Sequence, residues 1–268
     1  MNICFIGGGN MASAMIGGLV GKDWSREQIS VVEISADNRT KLQPFGVKTF
    51  EDLSTGIADS DVIVLAVKPQ QLREVATQLA PLLSGQLLIS IAAGIRAADL
   101  ARWLGTQNVV RAMPNTPALI RSGMTGLYAL SAVSANDQVL AEQILGSVGK
   151  ILWLKDESML DAVTAISGSG PAYVFYFIEA MQQAACELGL PGEQARRLAI
   201  DTFLGAAKLA DISEDDVSVL RARVTSKNGT TERALLSMEA NNVKQHIITA
   251  AKAAAARSKE MGDELGRD

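Results

Sequence analysis

A seven-residue segment in the second half of the chain, TSKNGTT (Thr225–Thr231), concentrates groups that could bind an anion. It contains four hydroxyl side chains, one Asn and one Gly, and it lies between two segments with helical patterns. A Gly-containing turn that enters a helix points successive backbone N–H groups into one concavity, where the helix N-terminus adds partial positive charge. The segment is therefore suited to holding an anion such as a carboxylate.

The alternative is that Thr230 and Thr231 simply cap the helix that follows. A capping box needs Glu or Gln three residues after the capping hydroxyl. Arg233 and Ala234 occupy those two positions. Since capping also explains neither four hydroxyls nor the Gly, we favour an anion-binding loop.

A second chemical pattern lies at the start of the chain. The apolar run at residues 2–6 leads into GGGNMA, which has the form Gly-x-Gly-x-x-Ala between a predicted strand and a predicted helix. In a dinucleotide site the first Gly makes the tight turn, the second admits the pyrophosphate, and the small third residue lets helix and strand pack closely. The alternative is a tight turn without a ligand. The cofactor-binding residues predicted in this turn are Gly7, Gly9, Asn10, Met11 and Ala12.

Glu33 ends the second apolar run, at residues 29–34. An acid at this point usually holds the ribose hydroxyls of the cofactor, which favours NADH because a carboxylate repels a 2′-phosphate. Asn38 and Arg39 are near enough in sequence to compensate, so NADPH stays open. The alternative is that Glu33 is an exposed charge at a strand end.

Ligands of open α/β sheets bind beyond the carboxyl ends of the strands, and three predicted strand ends carry distinctive loops. Lys68 could act through its ammonium group or only through its backbone at a helix start. Arg111 could bind a carboxylate or brace its own loop. The cofactor-binding residues predicted in these loops are Ala66, Val67, Lys68, Pro69, Ala92 and Asn115.

The elements that must position these residues follow from the hydrophobic pattern of the first half. Strand-like runs occupy residues 2–6, 29–34, 61–67, 86–91, 108–112, 125–130 and 151–154. Helical patterns occupy residues 11–20, 70–82, 97–104 and 135–148. Strands that are apolar on both faces and alternate with helices indicate a parallel sheet covered on both sides. We predict a doubly wound Rossmann-type domain over residues 1–155.

After residue 155 the strand-like runs vanish. Helical patterns occupy residues 171–188, 193–210, 232–240 and 243–262. The segment YVFYFIEAM at residues 173–181 is apolar nearly all round, so it needs neighbours on more than one side. We predict an all-helical domain over residues 156–268 that is buried in part by dimerisation.

Composition excludes several other classes of protein. The chain has 268 residues, 48% of them hydrophobic, and a net charge of −4 without a Lys/Arg block, which argues against a nucleic-acid partner. No apolar run approaches the roughly 20 residues that span a bilayer. The apolar N-terminus lacks the basic region of a signal peptide. Cys4 and Cys186 have no zinc spacing, so we predict reduced core thiols, no metal site and a cytoplasmic protein.

Six stretches, in this order along the chain, resemble the pyrroline-5-carboxylate reductase family. They are IGGGNMA (6–12), AVKPQ (66–70), SIAAG (90–94), RAMPNTPA (111–118), SGSGPAYVF (167–175) and VTSKNGTTE (224–232). The resemblance implies reduction of 1-pyrroline-5-carboxylate to L-proline by NADPH or NADH, the last step of proline biosynthesis. It also implies a Rossmann domain followed by helical domains that interlock as a homodimer to form the active site, with decamers as a further assembly.

The substrate implied by this resemblance is a cyclic imine that carries one carboxylate. A protonated imine already attracts hydride, so the enzyme needs no strong acid, which suits a chain whose one histidine, His246, we interpret as a surface or packing residue. By resemblance Thr231 contacts the imine nitrogen and relays a proton, while Ser226 adds a donor; these are the predicted catalytic residues. The predicted substrate-binding residues are Asn228, Gly229 and Thr230.

The chain departs from the family in the same loop, which commonly reads TSPGGTT. Lys227 replaces the Pro and Asn228 replaces the first Gly. Asn tolerates the left-handed backbone conformation better than most residues, so the turn can survive. Loss of the Pro predicts a more mobile empty loop.

Three alternatives stay open at this point. The stretch SGSGPAY (167–173) is either near the active site or a tight interhelical turn. The enzyme could instead reduce another imine or a hydroxyacid, although a hydroxyacid dehydrogenase normally needs a Lys or His base. A cofactor sensor without catalysis is a third possibility, but a sensor does not need a carboxylate-binding loop.

Overall fold

The computed structural model describes residues 1–22 and 24–267. They form two compact units, one of residues 1–169 with the chain from 253 onward, the other of residues 170–252. The strands of the first unit are β1 (Ile3–Ile6), β2 (Ile29–Val32), β3 (Lys48–Phe50), β4 (Val62–Leu65), β5 (Leu87–Ser90), β6 (Val109–Met113), β7 (Gly123–Ala129) and β8 (Gly149–Trp153).

The helices of the first unit lie between these strands and after them. They are α1 (Asn10–Val20), α2 (Ala36–Leu42), α3 (Leu53–Ile57), α4 (Pro69–Leu79), α5 (Ala97–Leu104), α6 (Ala135–Leu145) and α7 (Met159–Val163). The helices after residue 169 are α8 (Gly170–Glu187), α9 (Gly192–Ile212), α10 (Val217–Arg223), α11 (Thr230–Ala240) and α12 (Val243–Leu265).

The eight strands form one sheet in the order β3-β2-β1-β4-β5-β6-β7-β8. The first six strands run parallel, which confirms the predicted Rossmann-type sheet. The last two strands extend the same sheet, as expected, but β7 pairs antiparallel to β6. Only residues 114–122 join these two strands, and a parallel pair needs a crossover of about a dozen residues.

Both faces of the sheet are covered, and β1 shows how the sequence achieves it. Successive side chains of a strand point to opposite faces. Ile3 and Phe5 pack into one hydrophobic cluster, whereas Cys4 and Ile6 pack into a second cluster on the other face. A run of four apolar residues without alternation is thus buried on both sides, as the sequence predicts.

The prediction of two core thiols is right for Cys4 and wrong for Cys186. Burial raises the pKa of the Cys4 thiol to about 11, so this residue behaves as a small apolar side chain. Cys186 is exposed near the end of α8. Its apolar sequence neighbours misled the prediction, because α8 keeps large apolar side chains on its surface.

In the second unit α8 packs against α9, and small residues permit the approach. Ala195 and Ala199 are the buried residues of α9. Phe175 and Tyr176 on α8 are 65% and 69% exposed in the single chain.

The predicted domain limits, 1–155 and 156–268, remain a prediction, because compactness within one copy does not define a domain that associates with a second copy. In the part of the chain described, no helix is long and apolar enough to cross a membrane.

Candidate functional site

The glycine-rich turn between β1 and α1 is shaped by two glycines with different surroundings. Gly7 has φ +99°, and its N–H donates to the Val32 carbonyl at 2.8 Å. A Cβ at Gly7 would lie 2.8 Å from the Ala66 carbonyl oxygen, so the fold itself requires Gly there. A Cβ at Gly9 would meet no atom within 4 Å. The fold leaves space at Gly9, which is the position where a cofactor pyrophosphate needs close backbone approach.

The start of α1 offers donors to such a group. Gly9 is the N-cap without a side-chain hydrogen bond, and the first turn carries no acidic residue. The first bond of this helix runs from the Ser13 N–H to the Gly9 carbonyl, so the N–H groups of Asn10, Met11 and Ala12 have no partner within the helix. Ala12 itself is buried against the sheet.

A cleft of about 740 Å³ extends from this turn along the carboxyl ends of β1, β2 and β4. This volume lies in the usual range of small-molecule sites. Ser35 and Asn38, at the start of α2, also line it. Six of the predicted cofactor-binding residues line the cleft, namely Gly7, Gly9, Glu33, Ala66, Val67 and Lys68.

Glu33 is not an exposed strand-end charge, because it is only 8% exposed. One carboxylate oxygen accepts from the Gly8 N–H at 2.7 Å and from the Asn38 amide at 3.2 Å. The other oxygen accepts from the Ser35 N–H at 2.8 Å. The carboxylate therefore ties the glycine-rich turn to the start of α2, a role that sequence spacing did not reveal.

The guanidinium of Arg39 lies beside the same strand end. It donates to the carbonyls of Glu33 and Ile34 at 2.7 and 2.9 Å and pairs with Glu51 at 2.7 Å. Arg39 thus fixes the backbone that follows β2 and links it to Glu51, which lines the cleft.

The remaining strand-end residues have distinct surroundings. Lys68 is the N-cap of α4, directly before Pro69, and its exposed side chain makes no capping bond. Ala92 is 5% exposed, and its N–H donates to the Ser90 hydroxyl at 3.3 Å. Ala92 and Asn115 do not line the cleft. Their roles in cofactor binding, with those of Asn10, Met11, Ala12 and Pro69, stay predictions.

Arg111 and Asn115 brace the loops after β6. Arg111 is 6% exposed and donates to Glu157 at 2.8 Å, and the same oxygen accepts the Ala97 N–H at 2.7 Å. This favours the bracing alternative for Arg111. The Asn115 side chain accepts from the Met124 N–H at 2.9 Å and donates to the Ser167 carbonyl at 3.0 Å.

Asn115 thereby holds a π-helical turn, Thr164–Gly168, which precedes α8. Gly168 lies against Met113 at the end of β6, where a Cβ would come within 2.7 Å of the methionine methyl carbon. π-Helical turns are frequent at functional sites. The first residues of the SGSGPAY stretch are thus attached to a strand end, although their chemical role stays a prediction.

The loop before α11 is a second turn that enters a helix. Ser226–Gly229 forms a β-turn closed by the Gly229 N–H and the Ser226 carbonyl at 3.0 Å. Asn228 has φ +59°, the left-handed conformation that the third position of a type II turn requires. A Cβ at Gly229 would overlap the Ser226 hydroxyl and come within 3.0 Å of the Ser226 carbonyl oxygen, so this position leaves little room for a side chain.

The start of α11 leaves donors free. Gly229 is the N-cap and lacks a side-chain cap. The first helical bond runs from the Arg233 N–H to the Gly229 carbonyl at 3.2 Å, so the N–H groups of Thr230 and Thr231 have no partner within the helix. Over residues 1–22 and 24–267, no hydrogen bond engages the hydroxyls of Thr230 and Thr231. Capping by these hydroxyls is therefore excluded in this structure.

The structure adds a residue that the sequence argument missed. A Glu232 carboxylate oxygen accepts the Asn228 N–H at 2.7 Å. Counting from the threonines concealed this contact, because Gly229 is the true N-cap and Glu232 is the third helical residue. A Glu at that position commonly reaches back to the backbone before the helix.

Two observations bear on other chemistry. Among the residues that the structure describes, no group of three His, Cys, Asp or Glu side chains could hold a metal ion. His246 is exposed on α12, as the sequence predicts. The candidate chemistry therefore rests on the cleft of the first unit and on the loop of the second.

The parallel sheet, the required Gly7, the open space at Gly9 and the adjoining cleft define a protein of the dinucleotide-binding Rossmann class. Comparisons with known proteins extend this assignment. Residues 157–261 match the family described as pyrroline-5-carboxylate reductase dimerisation, and residues 2–94 match the family described as NADP oxidoreductase coenzyme F420-dependent.

Curated relatives match over nearly the whole chain. Pyrroline-5-carboxylate reductase of Pseudomonas aeruginosa is 48% identical, with 99% of this chain and 98% of the relative covered. The enzyme of that name from Arabidopsis thaliana is 36% identical over 96% of this chain and 94% of its own length.

Solved structures agree with these matches. A pyrroline-5-carboxylate reductase from Coxiella burnetii has a TM-score of 0.92 and 42% identity, covering 97% of this chain and 98% of its own. The Plasmodium falciparum pyrroline carboxylate reductase with NADP bound has a TM-score of 0.88 and 32% identity, covering 98% of each chain. The chain belongs to the pyrroline-5-carboxylate reductase family, and its helical region matches a domain that self-associates.

Proposed function

We propose that this chain reduces 1-pyrroline-5-carboxylate to L-proline with NADPH or NADH. The observation that carries the proposal is the loop 225–231, where Thr230 and Thr231 keep N–H groups and hydroxyls available, in a chain that is 48% identical over 99% of its length to a pyrroline-5-carboxylate reductase. That loop suits the substrate carboxylate, and the cleft at Gly9 suits the cofactor pyrophosphate.

The geometry supports a separate role for each of the two turns, with cofactor binding at the glycine-rich turn and substrate binding at the loop 225–231. When bound, the reduced nicotinamide supplies the hydride that adds to the imine carbon. The N–H groups of Asn10, Met11 and Ala12 and the space at Gly9 hold the pyrophosphate, and Ala66, Val67 and Lys68 form one wall of the cleft. Since Ala92 is buried, it can contribute only through shape or backbone.

In the second unit the loop orients the substrate. The N–H groups of Thr230 and Thr231 at the start of α11, with the Ser226 hydroxyl, receive the carboxylate, and the turn through Asn228 and Gly229 sets their direction. Thr231 donates a hydrogen bond to the ring nitrogen and relays a proton to it, while the C=N bond becomes a C–N single bond. Its hydroxyl is suited to this role because no bond within the described residues occupies it. Positioning of this kind can supply much of the rate enhancement.

Glu33 does not decide the cofactor in the simple way that its position suggests. Its carboxylate is occupied by Gly8, Ser35 and Asn38, so its charge is partly compensated by three donors. The guanidinium of Arg39 lies near the same strand end. We infer that the 2′ position of the cofactor meets Ser35, Asn38 and Arg39, which allows NADPH as well as NADH.

We further propose a homodimer that buries the apolar side chains exposed on α8, among them Phe175 and Tyr176. An apolar face of this extent is typical of an interface rather than of a free surface. Assembly of dimers into decamers, a cytoplasmic location and the absence of a nucleic-acid partner belong to the same proposal. Light scattering of the purified protein over a range of concentrations measures the assembly.

The first experiment follows the absorbance of NADPH, then of NADH, with purified protein and 1-pyrroline-5-carboxylate. Oxidation that depends on the substrate supports the proposed reaction, and the two rates give the cofactor preference. Binding of either cofactor without turnover contradicts the proposal and favours reduction of another imine or a cofactor sensor. A 2-oxo acid as substrate distinguishes the hydroxyacid alternative.

A further inference from the structure

The substrate loop contains an acidic residue with no evident part in binding an anion. Glu232 lies in the first turn of α11, beside the N–H groups that we assign to the substrate carboxylate. A free carboxylate there would repel the substrate and weaken the site. Its observed contact indicates a structural role instead, because one carboxylate oxygen accepts the Asn228 N–H at 2.7 Å.

The residues of the turn that this contact supports do not by themselves favour the conformation of the turn. A type II turn is favoured by Pro at its second position and Gly at its third. This chain has Lys227 and Asn228 there, so neither the fixed φ of Pro nor the freedom of Gly assists. A left-handed Asn carries a conformational cost that Gly avoids. The turn therefore depends on contacts from outside its own backbone.

Within the described residues the turn has two backbone contacts that close it. One is the bond from the Gly229 N–H to the Ser226 carbonyl, and the other is the bond from the Asn228 N–H to Glu232. Only the second comes from a side chain. Because the acceptor is an ionised carboxylate, this bond is stronger than a neutral one.

The surroundings of Glu232 agree with this role. With Arg221 and Thr225 it lines a cleft of about 300 Å³ between α10 and α11. The Thr225 hydroxyl donates back to the Arg221 carbonyl at 2.6 Å, which fixes the chain where it leaves α10. The loop is thus held at its start by Thr225 and at its tip by Glu232.

We propose that Glu232 is a positioning residue for substrate binding, which holds the left-handed turn at Asn228 so that the N–H groups of α11 converge on the substrate carboxylate. This inference rests on the proposed function of the loop. It predicts that loss of the Glu232 carboxylate affects capture of the substrate more than the chemical step.

The test compares Glu232→Ala and Glu232→Gln with the parent in steady-state kinetics. We expect Glu232→Ala to raise the KM for 1-pyrroline-5-carboxylate about tenfold, as the loss of one charge-assisted hydrogen bond implies. The kcat and the KM for NADPH should change by less than about threefold. Glu232→Gln keeps an acceptor oxygen and should show an intermediate KM.

Glu239→Gln is the matched control. Glu239 lies two turns further along α11 and lines the same cleft, but no hydrogen bond or ion pair engages its side chain within the described residues. Glu239→Gln removes the same charge from the cleft as Glu232→Gln does, but it removes no contact of the turn. Its KM should equal that of the parent.

A rescue variant separates positioning from charge. Lys227 lies at the second position of the turn, and its N–H makes no hydrogen bond in the part of the chain described. Lys227→Pro therefore fixes φ without removing a contact. Added to Glu232→Ala, it should restore most of the lost affinity, and a KM that stays high would overturn the positioning role.

Hydrogen exchange on the substrate-free protein gives a readout that does not depend on activity. The peptide covering the loop should exchange faster in Glu232→Ala than in the parent, and Lys227→Pro should slow it again. Unchanged exchange together with an unchanged KM contradicts the inference while leaving the proposed reaction intact. A parent protein that does not turn over the substrate contradicts the proposed function instead.

Discussion

The glycine-rich turn of the first unit and the loop 225–231 of the second use the same device in different surroundings. Each is a turn that enters a helix N-terminus, and in each a glutamate carboxylate accepts a backbone N–H at 2.7 Å. Glu33 reaches Gly8 across 25 residues and is buried. Glu232 reaches Asn228 across four residues at the surface of the single chain.

The difference lies in what each turn depends on. The first turn is part of the core, because Gly7 lies against Ala66 of the neighbouring strand end and a buried charged hydrogen bond is costly to disrupt. The second turn is held by contacts within a few residues of sequence. Changes in the first turn should therefore affect both stability and cofactor binding, whereas changes in the second should affect substrate kinetics with little effect on folding.

The largest expected effect comes from Gly7→Ala. The new Cβ would press on the Ala66 carbonyl, and φ +99° is unfavourable for Ala. We expect the free energy of unfolding to fall by about 2–4 kcal/mol, and NADPH binding to be lost. Chemical denaturation and calorimetric titration measure the two effects.

Gly9→Ala is the control within the same turn. A Cβ there meets no protein atom within 4 Å, so stability should change by less than about 0.5 kcal/mol while NADPH affinity falls at least about tenfold. If Gly9→Ala bound NADPH normally, the pyrophosphate would not pass over Gly9.

Thr231→Ala tests a chemical role that belongs only to the loop 225–231. The glycine-rich turn has no counterpart, because the first three residues of α1 carry no hydroxyl. Loss of a proton relay should lower kcat roughly 100-fold. The melting temperature and the KM for NADPH should stay close to the parent, because no hydrogen bond within the described residues uses the hydroxyl. Thr231→Ser keeps the hydroxyl and should retain most of the activity; equal loss in both variants would assign the methyl group, not the hydroxyl, to function.

Glu33→Gln distinguishes the structural role of Glu33 from ribose recognition. The two carboxylate oxygens of Glu33 accept hydrogen bonds from three donors, and the Gln amide keeps only one of these oxygens. The glycine-rich turn should therefore loosen whichever cofactor is bound. We expect the KM values of NADPH and NADH to rise together, by about tenfold, with their ratio within about threefold. A selective loss of NADH would instead assign Glu33 to the ribose. Glu74→Gln is the matched control, because Glu74 is exposed, lines the same cleft and accepts from the Gln78 amide of its own helix at 3.4 Å.

The sequence predicts the fold because its strongest signals are local. The apolar run at residues 3–6 and the three glycines after it are enough to place β1, the turn and α1. The helix predicted at residues 97–104 has the observed bounds. The elements that the sequence reasoning missed are short or exposed, such as β3, whose Lys48 and Thr49 face solvent, and α3, which contains a Gly.

The contacts that organise the candidate site were harder to foresee, because they depend on tertiary pairing. The bracing pair of Arg111 with Glu157 joins residues 46 apart, and Asn115 reaches the Ser167 carbonyl across 52 residues. Spacing alone cannot show which donors surround a carboxylate. The contact of Glu232 was predictable in principle, but only once Gly229 was identified as the cap of α11.

The smallest expected effect extends the comparison to a fully exposed carboxylate at the cofactor cleft. Asp52 caps α3 and accepts from the Ser54 hydroxyl at 2.6 Å and the Thr55 N–H at 3.1 Å. These hydrogen bonds lower the pKa of Asp52 to about 2 from 3.8. A lowered pKa in the folded state means that the contribution is complete above pH 4 and is lost as the pH falls toward 2.

The stability difference between the parent and Asp52→Asn should therefore be largest near neutral pH and should shrink between pH 4 and pH 2. Since Asp52 is exposed, we expect this stability difference to be smaller than the one caused by replacing a buried carboxylate such as that of Glu33. Denaturation curves of both proteins across this pH range measure it. A difference that does not depend on pH would mean that the pKa of Asp52 is the same in the folded and unfolded states, and that charge strengthens such contacts only where the carboxylate is buried.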